Sequence, residues 1–188
     1  MKPRYLLPLF TALLLTSAYS QEEAHNRFEI FAGYSHTSYG IFQNYSGPWV
    51  SHPFNGFEAS GTVNLLSHVG AEVNFSNVFS PTNHYSLQTV VAGPHISAQS
   101  NRFGIYVHAL FGALSFGGGS SSNATSFAFV LGGGADLWLN RHIGARLVQF
   151  DYIHNNNQAA VLGFQPGGTT GPGSAYRLAT GIVFRFGR

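Results

Sequence analysis

"FNGFEASGTVNLLSHVGAEVNFSNV", residues 54 to 78, changes character at every second position. Phe57, Ala59, Val63 and Leu65 fall on one face, and Glu58, Ser60, Thr62 and Asn64 on the other. Beyond Ser67 and His68 the pattern resumes, with Val69, Ala71, Val73 and Phe75 against Glu72, Asn74 and Ser76. A period of two belongs to an extended strand whose faces meet different surroundings, and two such runs joined through two residues form a tight hairpin.

Working outward, the same signal recurs in eight segments: 27 to 37, 54 to 66, 69 to 78, 85 to 98, 103 to 116, 125 to 139, 142 to 153 and 176 to 188. The first sets Phe28, Ile30, Ala32 and Tyr34 on one face and leaves Glu29 on the other. The fifth opposes Phe103, Ile105, Val107, Ala109 and Phe111 to Gly104, Tyr106, His108 and Gly112. In the sixth, Phe127, Phe129, Leu131, Ala135 and Leu137 face away from Gly132, Gly134 and Asp136. The last places Leu178, Thr180, Ile182, Phe184 and Phe186 on one face, with Arg177 and Arg185 between them. Two segments break the rhythm. Pro94 removes a ladder hydrogen bond from the fourth, so a bulge or local break is expected at Gly93-Pro94. In the seventh, Arg146 has the opposite parity to Gln149 and Asp151, so either Arg146 faces outward or a bulge between 146 and 149 brings all three inward.

Short connections at 67 to 68, 99 to 102 and 140 to 141 alternate with long polar ones at 38 to 53, 79 to 84, 117 to 124 and 154 to 175. All the long loops therefore emerge at one end. An even number of antiparallel strands arranged in this way closes on itself with both termini at the short-turn end, which predicts an all-β, eight-stranded, antiparallel up-and-down transmembrane β-barrel.

Composition selects the membrane. The first 20 residues carry Lys2 and Arg4, an apolar run from Tyr5 to Leu15 and then Ala18-Tyr19-Ser20, the layout of a signal peptide cleaved after Ser20. Residues 21 to 26 then form a short N-terminal segment and 27 to 188 the barrel. No cysteine is present, which excludes a disulfide framework and lipid attachment through a thioether. Without the leader the chain has seven arginines, scattered, against seven acids, so no basic surface for nucleic acid is expected. Only 9% of the chain is charged while 15% is aromatic and 23 residues are glycine, a balance foreign to a soluble exported domain. No run of 18 apolar residues follows the leader, so the chain crosses with strands if it crosses at all. Each segment reaches or exceeds the roughly 9 to 11 residues a tilted strand needs to span a bilayer. The apolar faces are then expected against lipid, and the small and polar faces inside.

The stretches "VVAGPHISAQ" (90 to 99), "YVHALFGAL" (106 to 114), "FAFVLGGGADLWLNRHIGARLVQFDYIH" (127 to 154) and "YRLATGIVFRFG" (176 to 187) resemble the small outer-membrane β-barrel proteins common in Acidobacteria, related more loosely to OmpA-type eight-stranded barrels. The resemblance implies a bacterial outer-membrane location and insertion by the barrel-assembly machinery. It supplies no catalytic residues, and most members of that family have no assigned activity. It also makes the C-terminal strand an assembly signal, usually ending on the aromatic itself, whereas here Gly187 and Arg188 follow Phe186.

Strict alternation points Glu58, Glu72, His108, Asp136, Arg177 and Arg185 inward, with Glu29 a partner for the closing arginines across the seam. The expected interior is a mixed-sign polar plug that fixes strand register. The alternative is a narrow path for ions or small solutes, and a more distant rival is a soluble secreted barrel that holds an apolar ligand, which requires the two faces to be reversed. Nine histidines, at 25, 36, 52, 68, 84, 95, 108, 142 and 154, show no close pair at ligand spacing, so no metal site or other cofactor is expected. A rim constellation of Ser35, Ser38, His36, Asp151 and His154 has no nucleophile motif behind it, and no catalysis is expected. "LGGGADLWL" lacks the following helix that a phosphate loop needs, so its glycines are read as relieving crowding. The sequons at Asn44, Asn74 and Asn123 are read as chance, Asn74 being mid-strand on the inward face. Tyr34, Tyr39, Phe42, Tyr45, Trp49, Phe54 and Phe57 near the first long loop, and Phe103, Trp138, Phe184 and Phe186 near the short turns, are read as two interfacial aromatic girdles. The loops 38 to 53 and 154 to 175 are the expected contact surfaces for an extracellular ligand, the other partner being the lipid bilayer.

Overall fold

A computed structural model describes residues 27–42, 49–81, 85–117, 124–156 and 173–187, so the expected leader and the segment 21 to 26 lie outside the described residues. Eight strands follow one another: β1 (Phe28–Phe42), β2 (Trp49–Asn64), β3 (Val69–Phe79), β4 (Ser86–Gln99), β5 (Phe103–Gly117), β6 (Ala124–Trp138), β7 (Ile143–Asn155) and β8 (Gly173–Phe186). Each pairs antiparallel with the next, and β1 pairs with β8 from Phe28↔Phe186 to Gly40↔Ser174, which closes the barrel. Closure removes both sheet edges, the condition under which a sheet survives without water at its backbone.

Strands β1 and β2 run beyond their alternating segments. Residues 38 to 42 and 49 to 53, expected in the first long loop, continue the ladder from Ser38↔Pro53 to Phe42↔Trp49, and residues 43 to 48 lie outside the described residues. Apolar and polar residues no longer alternate in the sequence here, so periodicity fades while backbone pairing persists, and the Ser38 and Ser51 hydroxyls meet across the pair. The fourth long loop is likewise shortened at both ends by β7 and β8.

Both irregular segments resolve. At Pro94 there is no bulge: Ala92↔Phe111 and His95↔His108 keep one register, pairing with β5 lapses at Gly93 and Pro94, and pairing with β3 continues through Glu72↔Gly93 and Ala71↔Pro94. The gap is local because proline lacks a donor, and a Cβ on Gly93 would run into the Ala109 carbonyl. In β7 the bulge does form. The register shifts by one residue between Arg146 and Gln149, Leu147 and Val148 both face outward, and Arg146, Gln149 and Asp151 are all buried. The Thr180 hydroxyl, on the outer face of β8, donates to the Arg146 carbonyl at 2.8 Å and so finds a partner at the bulge instead of in lipid.

The outer face carries Phe28, Ile30, Val73, Ile105, Val107, Leu131, Phe150 and Ile182 exposed, which is the reverse of what a soluble barrel with an apolar ligand requires. The inner face departs from the expected small and polar lining in its half nearest the long connections. There Tyr39, Phe54, Val78, Leu87, Val91, Leu110, Leu114, Phe116, Ala128, Val130, Ile153 and Ala175 form an apolar cluster that fills the lumen. Alternation assigns a face but not a height, and above the polar belt the inward positions are as apolar as the outward ones. Tyr39 and Phe54, read above as girdle residues, belong to this cluster, and Trp138 turns inward at the opposite end with Phe31, Ala179 and Val183. Tyr34, Phe57, Phe103, Phe184 and Phe186 do face outward. The side chains of Phe42, Tyr45 and Trp49 lie outside the described residues.

Across the β1–β8 seam Gly33 and Gly181 are register partners, and a Cβ on either would strike the other strand's backbone. The Phe31 ring lies against Gly33, where a Cβ would come within 2.8 Å of it.

Deleting Leu147 is expected to remove the bulge, reverse the facing of part of β7 and abolish the folded, heat-modifiable band on unheated gels, whereas Leu147→Ala, which keeps the residue count, retains it.

Candidate functional site: the interior polar belt

Every acidic residue of the barrel, Glu29, Glu58, Glu72, Asp136 and Asp151, is buried, and so are Arg146, Arg177 and Arg185. Several of these side chains are register partners. Arg177 lies opposite Asp151, Arg146 opposite Asp136 and Glu29 opposite Arg185, so the strand pairing that closes the barrel also sets opposite charges side by side.

Arg177 is fully buried at the centre. Its Nε donates to Asp151 Oδ2 at 2.9 Å and its Nη2 to the same oxygen at 2.5 Å, while Nη1 donates to Ser76 Oγ at 2.9 Å. The same Nε lies 3.2 Å from Glu58 Oε2. Gln149 joins this group to its neighbour: its Nε2 donates to Glu58 Oε1 at 2.6 Å and Asp151 Oδ2 at 2.8 Å, and its Oε1 accepts from Tyr106 Oη at 2.7 Å and Arg146 Nη1 at 2.8 Å. With both donors and both lone pairs engaged, this amide is fully satisfied without water. Arg146 Nε donates to Asp136 Oδ1 at 2.9 Å, and its guanidinium is sandwiched between Phe31 and Tyr106, 4.3 and 4.2 Å from their centroids.

At the short-turn end Glu29 Oε1 lies 3.4 Å from Arg185 Nε and accepts from Gln99 Nε2 at 2.7 Å, with the Arg185 guanidinium over the Trp138 ring. The seam partnership of Glu29 and Arg185 expected from parity is thus present. On the other side of the belt, Glu72 Oε2 lies 2.9 Å from His95 Nδ1 and 3.0 Å from His108 Nδ1, and His108 Nε2 lies 3.0 Å from Asp151 Oδ1.

The glycines of "LGGGADLWL" are what let these contacts form. Gly132 lies between His108 and Asp151 in register, and Gly134 between Tyr106 and Gln149. Each lacks the side chain that would separate its neighbours: a Cβ on Gly132 would collide with Asp151 Oδ1, and one on Gly134 would come within 2.7 Å of Tyr106 Oη. The network therefore reaches across β6 from β5 to β7.

All six inward candidates from the alternation pattern are in the belt, and Arg146, left open by parity, joins them. His95 was not singled out, and Tyr106 and Gln149 entered only through alternation and the bulge reading. Their signal was available for His95 and His108, which are direct partners once β4 and β5 are paired, although thirteen residues separate them in sequence. These two histidines are mid-strand and buried, unlike the interfacial and loop positions expected of most histidines. The rim constellation does not assemble: Ser35 and Asp151 are buried in the interior, while His36 and His154 point to the outer face, against Asn55 and Tyr152.

Charge is also partitioned along the barrel. Arg27, Arg102 and Arg141 are exposed at the short-turn end, whereas the long connections 43 to 48, 82 to 84, 118 to 123 and 157 to 172 contain no Asp, Glu, Lys or Arg.

No protein-family model matches the chain, and no curated protein sequence matches it. Among solved structures it is similar to Neisserial surface protein A, with a TM-score of 0.62 at 15% identity, covering 87% of this chain and 100% of that one. The N-terminal β-barrel domain of Pseudomonas aeruginosa OprF is similar at 0.52 and 12%, covering 87% and 100%. Ail, the attachment invasion locus protein of Yersinia pestis, is similar at 0.51 and 13%, covering 86% and 99%.

Removing one partner of a buried ion pair strands the other's charge, typically at about 3–5 kcal/mol. Arg177→Met is expected to lower unfolding stability in detergent by about that amount, measured by urea titration of tryptophan fluorescence. Gly132→Val, which displaces Asp151 without removing any charge, is expected to destabilise by about 2 kcal/mol or more in the same assay. What these likenesses establish is the fold, a closed eight-stranded antiparallel barrel whose solved neighbours are outer-membrane barrels.

Proposed function

We propose that this chain is an integral protein of a bacterial outer membrane, a closed barrel of the OmpA-like and specifically the acidobacterial kind, with a structural or surface-interaction role and no catalytic centre. The observation that carries the proposal is the filled lumen. The ion-paired belt is backed, on the long-connection side, by twelve buried residues that are aliphatic or aromatic. An eight-stranded barrel has an interior side chains can fill, and an apolar layer offers a hydrated ion no ligand. A pore is therefore disfavoured by the same residues that make the barrel rigid.

Export through a leader cleaved after Ser20 and insertion by the barrel-assembly machinery fit the apolar outer face. In this orientation the short turns with Arg27, Arg102 and Arg141 face the periplasm, within reach of anionic headgroups, and the long connections face outward. The surfaces at 38 to 53 and 154 to 175 then meet the exterior. Ail has been crystallised with the heparin analogue sucrose octasulfate, a polyanion. The absence of Lys and Arg from all four long connections argues against a partner of that charge here. An uncharged ligand, such as a neutral glycan or the apolar patch of a protein, fits the aromatic first loop.

Fractionation is expected to place the protein in the detergent-soluble membrane fraction; recovery in the soluble fraction without detergent contradicts the membrane reading. Purified barrel in a planar bilayer is expected to give no stepwise conductance, and defined single-channel steps would favour the pore. Phe186 faces outward on the closing strand opposite Phe28, and Phe186→Ser is expected to reduce the inserted, heat-modifiable form severalfold.

A further inference from the structure

The interior is unbalanced in charge if its histidines are neutral. Among the described residues five buried carboxylates face three buried guanidiniums, which leaves two negative charges inside the barrel. Unpaired buried charge is costly in a protein interior, so the excess is met by a cation or by protons. The place for them is fixed by geometry.

Glu72, His95 and His108 come from the three neighbouring strands β3, β4 and β5, and one oxygen and two nitrogens converge there, all within 4.8 Å of one another. His108 is held at its far side: Nε2 lies 3.0 Å from Asp151 Oδ1, so the proton sits on Nε2 and donates to that carboxylate. In the neutral ring Nδ1 is then a bare lone pair, pointed at Glu72 Oε2 3.0 Å away. His95 Nδ1 approaches the same oxygen at 2.9 Å, its ring stacked on Tyr106 with centroids 5.0 Å apart. A carboxylate–histidine arm behind a ring nitrogen that faces other donors is the usual support of a metal-ligating histidine.

We infer that Glu72, His95 and His108 form a binding site for one divalent transition-metal cation, with Asp151 orienting His108. Two nitrogens and one carboxylate oxygen are the donor set of a borderline cation such as Zn²⁺, with the fourth position open. Bonds of about 2.0–2.1 Å set ligand atoms about 3.3 Å apart in a tetrahedral site; the two carboxylate–imidazole spacings of 2.9 and 3.0 Å open by a few tenths of an ångström to reach it, and the two imidazole nitrogens, within 4.8 Å of each other, adjust to the same value. The ion also supplies the two missing positive charges. Two protons taken up by the belt do the same, and they are the competing occupant. Because the ligands are buried, the ion enters while the barrel folds.

The test is refolding into detergent micelles with equimolar Zn²⁺ or with EDTA, followed by dialysis and metal analysis of the full-length mature chain. One zinc per heat-modifiable barrel is expected after refolding with metal, and much less than one when zinc is added after folding in EDTA. His95→Gln is expected to weaken retention at least 100-fold, while a variant with the other seven histidines replaced by Asn keeps one zinc. Co²⁺ in place of Zn²⁺ is expected to give the visible absorption of a tetrahedral nitrogen–oxygen site, lost in His95→Gln. A folded wild-type barrel that retains no zinc overturns the proposal in favour of the two protons. Retention that survives His95→Gln but disappears with the other seven histidines overturns it in favour of adventitious surface binding.

Discussion

In hydrocarbon a backbone amide has no partner but another backbone group, and every other feature of this barrel answers that constraint. Closing the sheet through β1 and β8 satisfies the amides, but it also forces half the side chains into a space about as wide as the side chains themselves. The chain fills that space with two materials. A belt of paired charges lies toward the short turns, and an apolar cluster lies toward the long connections. The first gives direction-dependent contacts that penalise a slipped strand; the second gives packing that tolerates no water.

The belt depends on register in a way an apolar core does not. Arg177 and Asp151 face each other only because Arg146 and Gln149 are separated by one extra residue, and Arg146 meets Asp136 for the same reason. One inserted position in β7 thus aligns two ion pairs on opposite sides of the strand. A one-residue slip of any of the five strands that carry a buried carboxylate would turn that carboxylate toward lipid and strand its partner inside. Whether buried ion pairs add stability over apolar packing is doubtful in general. What they add here is a penalty on other registers, which separate the opposite charges that the native pairing sets side by side.

Much of this was legible in the sequence because a period of two is a direct record of two-sided surroundings. The strand count, the short and long ends, the closing pair of Glu29 and Arg185 and the inward charges all follow from parity. What parity lacks is the second coordinate, height along the strand. Phe54 and Phe57 differ by a face, yet both are phenylalanine, so position 54 read as girdle when it is lumen. Trp138 was misread in the same way, an aromatic at a strand end whose ring turns inward to meet Arg185. His108 was placed inward by parity, but its pairing with His95 escaped notice because ligand spacing along the chain is a property of helices and loops, whereas in a sheet the spacing that counts is between paired strands. The bulge at Leu147 was one of two readings, since parity registers that something shifts but not which side gives way.

The distribution of charge has a consequence for the route into the bilayer. Whichever end of the barrel lies on the far side must be carried through the hydrocarbon, and the four long connections contain no Asp, Glu, Lys or Arg to be desolvated on the way. Arg27, Arg102 and Arg141 all sit at the opposite pole, which in the proposed orientation does not make that passage. Transit in one sense is therefore cheap and in the other prohibitive, since each arginine taken through the midplane costs several kcal/mol. The barrel carries its own vector: its handedness with respect to the two sides of the membrane is written in where its ions are missing.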